Sequence, residues 1–290
     1  TQILKWKVVM IRKCLFPAAG YGTRFLPATK SMPKEMLPIV NKPLIQYGVE
    51  EALSAGLTQI GFVTGRGKRA LEDHFDTNYE LEHQIAGSSK ETLLAGIRAL
   101  IEQCSFSYTR QTEMKGLGHA ILTGEPLVGD ESFAVVLADD FCVHEPDSVL
   151  EQMVALHETH GCSIVAVEEV PWEKTASYGI VSGEAVGDDL VRVTTMVEKP
   201  EPSVAASNLA VIGRYLLTPD IFEILKSIPP GRNGEIQITD ALNEQAKAGQ
   251  VLAYRFKGRR FDCGSIEGFV AATNYIYQQH YDVGENYPRP

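Results

Sequence analysis

Residues 16 to 38, FPAAGYGTRFLPATKSMPKEMLP, bring together Gly20 and Gly22, prolines at 17, 27, 33 and 38, and the cations Arg24, Lys30 and Lys34. Closely spaced glycines let backbone N–H groups approach an anion or a base edge. The prolines stiffen a stretch too long for a plain connector. From Arg12 to Lys42 six basic residues stand against one acid, Glu35, in a chain of net charge -10. That local reversal of sign fits a small anionic ligand; a solvated basic face is the plain alternative. The acidity of the whole chain argues against nucleic-acid binding, which needs Lys and Arg to meet phosphates.

Three further groups could do chemistry. VVLADDF closes an apolar run with Asp139 and Asp140. A carboxylate there can hold Mg2+, a hard cation that prefers oxygen ligands, or it can cap the next turn. MVEKP sets Glu198 and Lys199 before a proline, as an acceptor beside a mobile point charge or as an exposed ion-rich turn. RQTEMKGLGHA places Gln111 ahead of Gly116 and Gly118. A primary amide offers the donor and acceptor that a base edge requires; a glycine-rich turn is the alternative.

Other chemistries lack their residues. The dinucleotide pattern GxGxxG needs glycine at position 25, where Phe25 stands, and GFVTGRGKR has the wrong spacing for a P-loop. No GxSxG elbow occurs. His157 and His160 are three apart on a predicted helix without HExxH and read as surface or structural. The five cysteines, at 14, 104, 142, 162 and 263, form no CxxC and read as free thiols of a reducing compartment. No signal peptide or membrane-length apolar run is seen, so a cytoplasmic protein without membrane contact is expected. Met10 reads as a natural start, with residues 1–9 an extension.

The elements that must position these groups follow from periodicity. KCLFPAAG, TQIGFVTG, SFAVVLADD and CSIVAVEEV read as buried strands. PLIQYGVEEALSAG, KETLLAGIRALIEQC and DSVLEQMVALHETHG read as helices between them. The alternation predicts an α/β fold with a mostly parallel central sheet flanked by helices. After Pro171 come short strands in YGIVSGEAVGDDLVRVTTMVEKP and NLAVIGRYLL, helices at PDIFEILKSI and across NGEIQITDA, a strand near Tyr254 and a last helix from Ile266. One domain is expected over residues 10–290, with a change of texture at about residue 170.

The opening segment, extended to Tyr47, resembles the signature of the sugar-1-phosphate nucleotidyltransferases, and most nearly that of their bacterial uridylyltransferase members. The resemblance continues in order through FVTGRGKRALEDHFD, RQTEMKGLGHA, LADD, ASYGIV, MVEKP, NLAVIGRYLL, NGEIQITDAL and FDCGS. It implies a Rossmann-like fold and Mg2+-assisted transfer of a uridylyl group from UTP to α-D-glucose 1-phosphate, giving UDP-glucose and pyrophosphate. It implies that Asp139 and Asp262 hold the metal, that Arg24, Lys34 and Lys199 act with Asp139 in catalysis, and that Ala19, Gly20, Gly22, Gln111, Gly116, Gly179 and Glu198 bind substrate. It further implies a nucleotide-binding half over about residues 10–170, a sugar-binding and oligomerisation half over about residues 171–290, and a homodimer or homotetramer. A sister enzyme using dTTP or another hexose 1-phosphate, and a non-catalytic nucleotide-sugar-binding regulatory protein, are the alternatives.

Overall fold

The computed structural model describes residues 11–143, 146–231 and 234–280. The expectation for residues 1–9 and Met10 lies outside them. The chain runs through β1 (Lys13–Ala18), β2 (Pro38–Ile39), β3 (Lys42–Pro43), α1 (Leu44–Ser54), β4 (Gln59–Thr64), α2 (Arg69–His74), α3 (Tyr79–Ile85), α4 (Ala95–Gln103) and β5 (Ser105–Arg110). It continues with α5 (Leu117–Thr123), α6 (Glu125–Val128), β6 (Phe133–Val136), β7 (Asp140–Val143), α7 (Val149–His160), β8 (Ser163–Glu169), β9 (Gly179–Ala185) and β10 (Leu190–Glu198). Last come β11 (Leu209–Leu217), α8 (Ile221–Ser227), α9 (Ile238–Lys247), β12 (Val251–Arg255), β13 (Arg259–Asp262) and α10 (Ile266–His280).

The central sheet has nine strands in the order β5-β4-β1-β6-β11-β8-β12-β10-β9. Pairing is parallel across β5, β4, β1 and β6, and again between β8 and β12. β11 runs against β6 and β8, and β10 against β12 and β9. The parallel run is therefore the part built by the strand–helix alternation seen in the sequence. The turn-rich strands after Pro171 extend it with antiparallel neighbours, because short turns can join only antiparallel strands.

Alternate side chains of each strand face opposite sides of the sheet, and both sides are covered. Phe16, Phe62 and Val136 belong to one core with Ile45 and Val49 of α1, Leu100 of α4 and Met153 of α7. Their chain neighbours Leu15, Val63 and Val135 belong to the other, with Ile121 of α5, Phe222 of α8 and Leu242 of α9. A third cluster packs Ala272 and Ile276 of α10 on Phe141 and Phe261 of the β7–β13 ribbon.

Several elements differ from the sequence expectation. SFSYTR, β5, has no buried alternation that would mark it as a strand: it is an edge strand with mostly exposed side chains. β13 adds a second strand after the one expected near Tyr254. The helix expected across NGEIQITDA begins at Ile238, so Glu235 to Gln237 are non-helical. His157 is structural, as expected: its Nδ1–H donates to the Cys162 carbonyl at 2.8 Å. All five cysteines are free.

The buried Arg214 of β11 is held by Glu51 of α1. Its Nη2 and Nε donate to Glu51 Oε2 at 2.7 and 3.0 Å, and its Nη1 donates to the Gly213 carbonyl at 2.9 Å. Removing one partner of a buried ion pair strands the other's charge in a poorly solvated place. Glu51→Ala is expected to cost about 3–5 kcal/mol, read as a lowered midpoint in urea-induced unfolding.

Candidate active site

β1, β4, β5 and β6 run the same way, so the loops at their carboxyl ends share one edge of the sheet, where ligands bind in open α/β folds. Ala19 to Gly22 follow β1, Gln111 follows β5, and Asp139 lies just past β6. Ala19, Gly20, Lys34, Gln111, Gly116 and Asp139 line one cleft there.

The glycine- and proline-rich loop is ordered by contacts at several points along its length. It makes 3-10 turns at Thr23–Phe25, Ala28–Lys30 and Lys34–Met36. Thr29 Oγ1 donates to the Gly22 carbonyl at 2.7 Å, and the Phe25 ring packs edge-on against Phe269 of α10 at 5.6 Å. Glu35, 2% exposed, accepts from Lys68 Nζ at 2.7 Å. Of the two glycines only Gly22 takes a positive φ, at 65°. A β-carbon on Gly22 would also stand 2.9 Å from Lys34 Cβ, whereas one on Gly20 meets nothing within 4 Å. The sharp turn needs one residue free of a side chain, and Gly22 is that residue.

Lys34 delivers its ammonium to Asp139, with Nζ 2.5 Å from Oδ2. Burial, the largest single influence, raises the Asp139 pKa, but the charge and hydrogen bond of Lys34, a backbone hydrogen bond and the Arg24 charge together outweigh it and hold the carboxyl below its ordinary range. Asp139 is also tied to the C-terminal ribbon, since Cys263 N donates to its carbonyl at 2.7 Å. In that ribbon Asp262 pairs across from Asp140. A β-carbon built on Gly264 would lie 3.0 Å from Asp262 Oδ1, 3.2 Å from Asp139 Oδ2 and 3.3 Å from Arg24 Nη1. Two carboxylates and a guanidinium thus converge on one point. Arg24 is exposed, and its Nη1 donates to the Gly264 carbonyl at 3.3 Å.

The adjacent acid has a different task. Asp140 is buried, accepts a short hydrogen bond from Arg260 and takes Gly213 N at 2.8 Å. Burial raises its pKa despite the Arg260 charge. Asp140 locks β7 to β11 and β13, so that its neighbour Asp139 is held at the cleft.

A second cleft opens beside the first, and Leu117, Leu137 and Glu235 line both. Its wall is the end of β10 against the start of β9, where Glu198 pairs with Gly179. Lys199 adopts φ 46° and its Nζ lies 3.1 Å from Glu198 Oε1. Thr239, at the start of α9, donates from Oγ1 to Glu198 Oε2 at 2.6 Å. Between the clefts, residues 115–118 are laced to 236: Ile236 N donates to the Lys115 carbonyl at 2.8 Å and Gly118 N to the Ile236 carbonyl at 2.9 Å. Gln111, 4% exposed, donates from Nε2 to the Gly116 carbonyl at 3.3 Å and to His119 Nδ1 at 2.8 Å.

A family model described as nucleotidyl transferase matches residues 15–279. The chain belongs to that family. It is 68% identical over 277 residues to a UTP–glucose-1-phosphate uridylyltransferase of Pseudomonas aeruginosa, covering 95% of this chain and 99% of that protein. It is 49% identical to a UTP–glucose-1-phosphate uridylyltransferase of Staphylococcus saprophyticus, covering 91% of each. Among solved structures it is similar to an apo UDP-glucose pyrophosphorylase, with TM-score 0.90, 62% identity and coverage of 93% and 99% of the two chains. It is also similar to a UDP-glucose pyrophosphorylase complexed with UDP-glucose, with TM-score 0.87, 59% identity and coverage of 93% and 100%.

Every site residue expected from the family signature lines one of the two clefts or the acidic point between them, apart from Gly22, which shapes the Lys34 loop. Residue types alone did not single out Thr239, His119 or the buried Glu35–Lys68 pair. Each acts by holding another side chain, and such a role leaves no local pattern. Gly116 is constrained both by its backbone conformation and by its neighbours. It has φ 90°, and a β-carbon there would stand 2.9 Å from both Glu235 Cβ and the Ile236 carbonyl. Gly116→Ala is expected to cost about 1–3 kcal/mol through strain and displacement of residues 235–236, measured as a drop in the thermal unfolding midpoint.

Proposed function

We infer that this enzyme transfers a uridylyl group from UTP to α-D-glucose 1-phosphate, giving UDP-glucose and pyrophosphate. The observation that carries the reading is the 68% identity, over 95% of the chain, to a uridylyltransferase of that name. The paired clefts support it, since one can take the nucleotide while the other takes the sugar phosphate.

In the proposed reaction an oxygen of the sugar phosphate attacks the α-phosphorus of UTP in line, and pyrophosphate leaves. The attacking phosphate is already mostly dianionic near neutral pH, its second pKa being about 6, so no general base is required. The obstacle is repulsion between two anions, about 4 kcal/mol per pair of unit charges at about 4 Å and an effective dielectric near 20. Fixed cations and fixed geometry offset it. Arg24 and Lys34, at the acidic point, neutralise the triphosphate and the departing pyrophosphate. Lys199 aims the attacking phosphate, while Glu198, oriented by Thr239, accepts hydrogen bonds from sugar hydroxyls. Ala19, Gly20 and Gly116 offer backbone to the nucleotide, Gly179 leaves room for the sugar, and Gln111 meets the uracil edge.

The donor set at the acidic point fits Mg2+. Asp139 and Asp262 offer hard oxygens, and no group of three or more His, Cys, Asp or Glu that could hold a metal occurs among the described residues. Mg2+ is commonly held by one or two carboxylates, with substrate phosphates and waters completing its shell. Bound there by Asp139 and Asp262, the ion would supply Lewis-acid stabilisation of phosphate charge.

Preference for UTP over dTTP, and for glucose over other hexoses, is part of the same proposal. One methyl group on a pyrimidine is worth only about 1–3 kcal/mol. Self-association into a homodimer or homotetramer and a cytoplasmic setting are proposed with it; among the described residues no helix is long and apolar enough to cross a membrane.

The test is incubation with UTP, glucose 1-phosphate and Mg2+, with and without chelator, and detection of UDP-glucose. Product is expected only with the metal. Lys34→Ala and Asp139→Ala are each expected to lower turnover by about 10²-fold or more with an unchanged circular dichroism spectrum. Near-normal kinetics in either variant would remove that residue from the mechanism.

A further inference from the structure

The reading of the cleft as a uridine-nucleotide site leaves open how Gln111 tells one base from another. A primary amide can turn either end to a ligand, presenting a donor or an acceptor. Here its orientation is determined. The Gly116 carbonyl, 3.3 Å from Gln111 Nε2, can only accept, so the NH2 end of the amide must face it. The second amide hydrogen goes to His119 Nδ1 at 2.8 Å. That contact requires Nδ1 to be an unprotonated acceptor, and hence His119 to be the neutral tautomer carrying its proton on Nε2. Both amide hydrogens are then used, and no hydrogen bond to Gln111 Oε1 occurs among the described residues. The cleft that Gln111 lines is offered a carbonyl oxygen alone.

We propose that His119 is a positioning residue for base selection, fixing the Gln111 amide so that the nucleotide site accepts bases with a ring N–H and rejects cytosine. Uracil and thymine carry a hydrogen on the ring nitrogen between their two carbonyls. Cytosine has a lone pair at that nitrogen, and would set acceptor against acceptor beside the buried Gln111 side chain, 4% exposed. The surroundings keep His119 in the required state: burial first, then the Lys115 charge, lower its pKa against a smaller opposing effect of Glu113. The inference rests on the uridylyltransferase reading but is tested separately from it.

The experiment compares kcat and KM for UTP and for CTP, with glucose 1-phosphate as acceptor, in the wild type and in His119→Ala. A site built to pair with a base N–H rejects an unmatched base by about 10³-fold or more. In His119→Ala only the longer 3.3 Å contact to the Gly116 carbonyl is left to orient the amide, so its hold on the orientation is weakened. KM for UTP should rise about tenfold with kcat within about twofold, and the UTP-to-CTP ratio of kcat/KM should fall by about tenfold or more. A variant that keeps the wild-type ratio overturns the proposal. A wild type that makes no UDP-glucose counts instead against the proposed function. Independently of folding in the variant, long-range proton–nitrogen NMR of the wild type reads the tautomer directly, with the His119 signal assigned by its loss in His119→Gln. An Nε2–H imidazole near neutral pH is expected; an Nδ1–H tautomer or an imidazolium overturns the proposal.

Discussion

The cleft is organised by opposite charges from distant parts of the chain that must be held together on one edge of a sheet. Lys34 comes from a loop after β1, Asp139 from the loop after β6, Asp262 from the end of β13 and Arg24 from the first turn of the glycine loop. None could remain in place by its own attraction, because exposed ion pairs contribute little against the entropy of ordering long side chains. Rigidity comes from the surroundings: parallel strands that deliver their loops to a common edge, and a buried second layer of ion pairs in Glu35–Lys68, Asp140–Arg260 and Glu51–Arg214. The Lys34–Asp139 pair in the cleft is partly exposed, and the ion pairs that frame it are more deeply buried.

That division explains the two neighbouring acids. Asp139 and Asp140 are adjacent in sequence and chemically identical, yet their pKa values move in opposite directions, down for Asp139 and up for Asp140. Lys34 is in ion-pair contact with the first. The second is sealed between Gly213 N and Arg260, where it joins three strands. A carboxylate that lines the cleft and one that joins strands are obtained by letting the chain turn between them, with Asp139 in the loop and Asp140 opening β7.

Much of this was legible beforehand. The buried strands β1, β4, β6 and β8 announce themselves as apolar runs, and helices α1 and α7 by period, with a capping box at Ser148 and Glu151 and a left-handed Gly161 closing the latter. β5 was not legible because an edge strand has only one neighbour and half its surface in water, so SFSYTR carries no burial signal. Residues 235–237 carry helix-forming types, but Ile236 pairs with Lys115 and Gly118 instead, a tertiary hydrogen-bonding choice that overrides propensity. The site divides the same way. Cleft residues such as Gly20, Lys34, Gln111 and Asp139 lie in recognisable motifs, while His119 and Thr239 show themselves only by their hydrogen bonds to Gln111 and Glu198.

The β7–β13 ribbon has a consequence for how the protein comes into being. A ribosome releases the glycine loop, Lys34 and Asp139 long before it releases Asp262, and only the late arrival of β13 brings Cys263 N onto the Asp139 carbonyl. A nascent chain can thus bury most of its apolar sheet while its acidic cradle is half-built. The cradle closes only once Asp262 has emerged, after strands β1 to β12 have been made.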